Sequence, residues 1–120
     1  MTRLHVAASF MAIVAMGLAS SGAPAQSPEK AFSHAIKPGQ SAEECVKLTV
    51  GGTVGYEFES SERVDFNIHY HVGNDVVYPV KGDQVRRVAD RFSAPSAEEY
   101  CLMWTNRTAQ MVTVKGQLRS

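Results

Sequence analysis

The sequence lacks most of what would tie it to a charged polymer or to a large catalytic scaffold. Lys plus Arg number 12 and Asp plus Glu number 12, so no excess of one sign exists to hold nucleic acid or an anionic membrane by bulk electrostatics. A length of 120 residues excludes a TIM barrel, a full dinucleotide-binding enzyme and a multi-span transporter. There is no G-x-S-x-G, no H-E-x-x-H, no P-loop and no Gly-rich dinucleotide fingerprint. No stretch keeps a helical period over three turns. Cysteine is scarce, with 2 residues and no C-x-x-C to support thiol exchange. The carboxylate pairs Glu43-Glu44 and Glu98-Glu99 are adjacent, so on a strand their members face opposite ways and suit no two-carboxylate mechanism. These gaps lead to the expectation of a non-enzymatic protein without a cofactor and without a nucleic-acid partner.

What is present begins with Arg3 and an uncharged run from Val6 to Ala19, followed by Ala23-Pro24-Ala25. This order of a positive end, an apolar run and a small-residue cleavage site reads as a signal peptide over 1–25, cut before Gln26. The run is shorter than the ~20 residues a bilayer requires. Residues 1–25 hold no cysteine for a lipid anchor, and no second hydrophobic span follows. A periplasmic or secreted protein of bacterial type, without a transmembrane anchor, is expected. A domain this small buries only about 60–70% of its unfolded surface and gains from a covalent staple. Cys45 and Cys101 supply one in an oxidising compartment.

The exported part reads as strands. Residues 26–37 are polar and form a flexible arm that leads into the domain, with room for an edge strand at Ala35-Ile36. Turn signals then recur about every ten residues. They fall at Gly51-Gly52, Ser60-Ser61-Glu62, Gly73-Asn74-Asp75, Gly82-Asp83, Pro95-Ser96 and Asn106-Arg107-Thr108. Between them apolar residues alternate. Val46, Leu48 and Val50 share a face, as do Tyr56 and Phe58, then Val64, Phe66, Ile68 and Tyr70, then Tyr100, Leu102 and Trp104, and finally Val112 and Val114. Period two with β-branched and aromatic enrichment predicts half-buried antiparallel strands. Residues 83–91 fit a helical turn or a short strand equally. The expected fold is all-β, an antiparallel sandwich of seven to eight strands over 38–120 with one disulfide.

Two segments resemble a GOLD domain, the β-sandwich module of p24 cargo receptors and some Sec14-like proteins. Gly52, Tyr56, Phe58 and Ser60 match its opening strand, and Tyr100, Leu102, Trp104 and Asn106 match the strand before its last. The resemblance implies a jelly-roll-like module for protein or lipid interaction. Cys101 lies two residues before the position usual in the p24 branch, where this chain has Met103. The coiled coil and membrane span of that branch are not matched, which implies a free-standing exported form.

The polar face of the long alternating strand carries Asp65, Asn67, His69 and His71. His69 and His71 stand two apart, a spacing of about 6.5–7 Å along a strand. They suit a copper or zinc ion with Asp65, Glu57 or His34 as a further ligand, or a solvated recognition face. Arg86, Arg87 and Arg91 form a basic patch interleaved with Asp83 and Asp90, fit to guard an edge strand or to meet an acidic partner. Asn106-Arg107-Thr108 is a glycosylation sequon and equally a turn. The functional expectation is a binding module for a protein or envelope component. The alternative is a periplasmic metal-binding protein using His69 and His71.

Overall fold

The computed structural model describes residues 12–15, 17 and 29–120. Nearly all of the expected signal peptide and its cleavage point lie outside the described residues. Among the described residues no helix is long and apolar enough to cross a membrane. The described residues form six strands: β1 (Glu29–Ile36), β2 (Ser41–Leu48), β3 (Thr53–Val72), β4 (Asp75–Ser93), β5 (Glu98–Thr105) and β6 (Val112–Arg119). All pair antiparallel in one sheet of order β1-β6-β3-β5-β2, with β4 on the free side of β3.

The expectation of seven to eight strands in a closed jelly-roll or GOLD-like sandwich is corrected to six strands in a curled half-barrel. The reason lies in β3 and β4, which are 20 and 19 residues long. Ser60-Ser61-Glu62 is not a turn. The β3–β4 ladder passes from Glu59↔Arg87 directly to Val64↔Val85, so residues 60–63 face a single residue of β4. That bulge bends the strand without ending it. On its other side β3 pairs with β6 up to Ser60↔Val114, then with β5 from Asp65↔Thr105. Gly82-Asp83 likewise sits inside a strand. The register slips between Val64 and Phe66, Gln84 takes φ 55°, and its backbone and side-chain amides both donate to Asp65 Oδ1. Residues 83–91 are strand, not a helical turn.

Each bent strand thus serves two half-sheets, β1-β6-β3-β4 and β2-β5-β3-β4, whose inner faces meet. The alternating residues fill the space between them. Trp104 lies 4.8 Å from Phe32, 5.4 Å from Phe58 and 5.7 Å from Phe66 between ring centroids. Tyr100 packs edge-on against Phe92 and Tyr70. Val50 leaves the core face expected for it, because β2 ends at Leu48 and Val50 occupies the following turn at 71% exposure. Residues 29–36, placed in the leading arm, form β1 in full, since Phe32 and Ile36 alternate inward against β6.

The two outer strands β1 and β2 do not pair through their backbones. Side chains close the seam instead. Glu44 of β2, buried, takes a hydrogen bond from Lys30 Nζ at 2.7 Å and shares one with His34 Nε2 at 2.9 Å. Cys45 and Cys101 stand opposite each other in the β2–β5 ladder and are joined, with Cα atoms 4.0 Å apart.

Candidate functional site

The polar alternation along β3 places Asp65, Asn67 and His69 opposite Thr105, Met103 and Cys101 of β5. These positions face away from the core. The same face of β2 presents Glu43 opposite Met103 and Cys45 opposite Cys101. His69 therefore stands beside the disulfide, with Glu43 reaching it from two strands away.

His69 is buried, an unusual state for an outward-facing histidine. Its ring stands 5.3 Å from that of His71 and 5.8 Å from that of Tyr78. Nδ1 makes a 2.7 Å hydrogen bond with Asn67 Oδ1, and Nε2 lies 3.5 Å from Glu43 Oε1. Because the amide oxygen only accepts, Nδ1 carries the hydrogen and Nε2 directs a lone pair at the carboxylate. Burial holds the His69 ring below the usual histidine range, with His71 adding to the shift and Glu43 opposing it.

The structure does not unite the four polar residues picked from the sequence. Asn67, His69 and His71 are neighbours. Asp65 is engaged elsewhere: Arg107 Nε bonds its Oδ2 at 3.0 Å while Gln84 holds Oδ1. Those contacts keep its carboxyl below the usual range, the Gln84 side chain first among them, while partial desolvation opposes the shift. His34 lies at the β1–β2 seam with Glu44, and Glu57 meets Arg119 at 3.3 Å. Among the described residues, two clusters of possible ligands occur, Glu43/His69/Cys101 and Cys45/Glu99/Cys101. Cys45 and Cys101 are spent in the disulfide, which leaves Glu43 and His69 of the first. Sequence spacing could not flag Glu43, because it reaches the site through strand pairing.

The basic residues also separate. Arg86 donates to the Ser61 carbonyl at 2.8 Å, and Arg87 pairs with Glu59 at 3.0 Å. Arg87, Arg91 and Ala89 share the face opposite to Arg86. There a groove of about 690 Å³ crosses the row Phe32–Gly116–Phe58–Val88, edged by Glu57, Glu59 and Lys115. Asn106 is fully buried. Its amide nitrogen donates to the Ile36 and Gln110 carbonyls, and its oxygen accepts from the Thr108 amide and hydroxyl. In the folded protein the sequon is a structural turn.

Beyond the His69 face the β3–β4 hairpin continues to its turn at Gly73, with Val72, Val76, Val77 and Tyr78 between 38% and 52% exposed. Pro79 lies in the free strand of this hairpin, and the Lys81 ammonium sits 4.7 Å above the Tyr78 ring.

No family model matches the chain, and no curated protein is similar to it in sequence. Solved structures are similar in fold. A mitogen derived from Yersinia pseudotuberculosis aligns over 78% of this chain and 86% of its own, with TM-score 0.55 and 12% identity. The pre-peptidase C-terminal domain of a Bacillus anthracis collagenase aligns over 76% and 89%, with TM-score 0.58 and 10% identity. PliG of Aeromonas hydrophila, a periplasmic inhibitor of g-type lysozyme, aligns over 80% and 87%, with TM-score 0.51 and 14% identity. At such identities the likeness is one of fold, the antiparallel all-β arrangement built here around the bent β3–β4 hairpin.

Proposed function

We propose that this chain is an exported, non-enzymatic binding module that recognises a protein or envelope component through the exposed tip of the β3–β4 hairpin. The observation that carries the reading is the hairpin end. Val76 and Tyr78 stand exposed on the face that carries Asn67, His69 and His71, and Val72 and Val77 stand exposed on the opposite face of the same two-stranded tip, so the tip is apolar on both sides. Apolar side chains clustered at a rigid, solvent-facing edge and rimmed by polar groups mark interaction surfaces. Tyr78 has the make-up of an anchor, a large ring with a polar tip, its face covered by the Lys81 ammonium. The rigid support comes from the bent hairpin, the disulfide and the sheet beneath. The fold suits the role, since similar architectures include a lysozyme inhibitor and a mitogen. The leader at 1–25 supports placing the module in the periplasm or outside the cell.

The test is site-specific photocrosslinking in cells. A benzophenone amino acid at Val77 is expected to give one defined adduct, identified by mass spectrometry, which Val76→Asp removes when the two are combined. A probe at the exposed Gln110 serves as control. The proposal fails if the Val77 probe yields only the adducts that the Gln110 probe yields.

A further inference from the structure

We infer that Glu43, His69 and His71 form a binding site for a divalent metal ion of the zinc class on the outer face of the β2-β5-β3 half-sheet. The inference is independent of the protein-recognition role proposed above.

The geometry around His69 is one that a bound cation would make favourable. With Nδ1–H fixed on Asn67 Oδ1 at 2.7 Å, Nε2 presents a lone pair to a carboxylate oxygen 3.5 Å away. Two acceptors facing each other repel unless a positive centre lies between them. A proton there would draw the pair to a charge-assisted hydrogen bond of about 2.7–2.9 Å. Hydrogen bonding of the remote ring nitrogen to an oxygen is the outer-shell arrangement that orients histidine ligands.

The spacings also select the ion. Zinc–nitrogen and zinc–oxygen distances of about 2.0–2.2 Å at tetrahedral angles put two ligand atoms about 3.4 Å apart. Adjacent ligands of a square-planar copper(II) centre at similar bond lengths stand only about 2.9 Å apart. The observed 3.5 Å agrees with the tetrahedral edge. The rings of His69 and His71 are neighbours, with centroids 5.3 Å apart. His71 is not among the groups whose ligand atoms already converge on the Nε2–Oε1 gap. It is exposed, so rotation about its side-chain bonds can bring a ring nitrogen there as the third ligand. Glu43, also exposed, gives the ion a path from solvent, and water completes the fourth position. The Cys101 sulfur lies within 4.8 Å of both ligand atoms but is bonded to Cys45 and is not a donor.

The test is calorimetric titration of the purified, oxidised full chain with zinc chloride, alongside Glu43→Gln, His71→Ala and Asp65→Asn. Wild type is expected to bind one zinc per chain. Glu43→Gln and His71→Ala, both at exposed positions that leave the core intact, should each raise Kd at least tenfold. Asp65→Asn should leave it unchanged, because Arg107 and Gln84 occupy that carboxylate. Imidazole proton resonances of His69 and His71 should both shift at one equivalent. Absence of binding at millimolar zinc, or an affinity unaltered in both Glu43→Gln and His71→Ala, overturns the assignment. So does binding of copper(II) with no binding of zinc. Val77→Asp, which alters the hairpin tip on the face away from His71, should leave zinc affinity untouched.

Discussion

Replacing both Cys45 and Cys101 by serine tests how the half-barrel keeps its shape. The disulfide closes a loop with a sequence separation of 56. The chain-entropy relation puts its effect on the unfolded state at about 4 kcal/mol at 25 °C. For a domain of this size that corresponds to a melting temperature lower by about 15–30 °C. The structure also says where the loss appears first. β2 is an outer strand with one backbone neighbour, β5, and the bond joins those two strands. Without it, β2 is held by its ladder, by Leu48 in the core and by the Glu44 contacts to Lys30 and His34. Urea unfolding should show a lower midpoint with an m-value that stays the same or rises slightly, because the unlinked unfolded chain exposes more surface. Hydrogen exchange should show amides of Ser41–Leu48 losing protection while those of β6 retain theirs. A destabilisation under 1 kcal/mol, or equal loss of protection in β1 and β2, would refute this account.

Three further outcomes follow from particular contacts. Gly116→Ala should destabilise by about 1–3 kcal/mol in chemical denaturation, because an added methyl would strike the Glu57 carbonyl and come within 2.7 Å of the Phe32 ring and 2.8 Å of Phe58; a neutral effect would show that the β6–β3 approach is looser than described. Asn106→Ala should cost about 2–4 kcal/mol, since it strips partners from the Ile36 and Gln110 carbonyls and from the Thr108 amide; wild-type stability in urea would contradict it. Acid should destabilise the metal-free protein in two stages. His69 has a depressed folded pKa, so its contribution is complete above the unfolded value of about 6.5 and declines as pH falls below it. Asp65, also depressed, contributes above about 3.9 and loses that contribution at lower pH. Stability measured in EDTA should lose the upper stage in His69→Gln and the lower in Asp65→Asn, and a flat profile from pH 7 to 5 would exclude the His69 effect.

The alternation of side chains made the inward face legible. Tyr56, Phe58, Val64, Phe66, Ile68, Tyr100, Leu102, Trp104, Val112 and Val114 all lie where period two places them. The cysteine pairing was also readable, because a sequence expected to be exported and holding two cysteines leaves one intramolecular bond to form. The number of strands was not. Ser60-Ser61-Glu62 and Gly82-Asp83 have turn chemistry, yet a bulge uses the same small and polar residues to bend a strand. Only the partner ladders, β6 and then β5, distinguish a bend from a reversal. Glu43 was hidden for a related reason. It stands 26 positions before His69 and meets it only because β2 and β3 both pair with β5. Conversely, Asp65 looked available because nothing local announced Arg107 or Gln84 as its partners.

The shared β3–β4 hairpin ties the halves together more firmly than an ordinary linker between two layers would. Cutting the gene near codon 61 would leave both fragments without a complete spine, so neither should adopt native structure alone. The same continuity makes the hairpin a lever. Force applied at Gly73 runs along an unbroken pair of backbones past the Trp104 packing, so a load on the tip is borne by the whole domain at once.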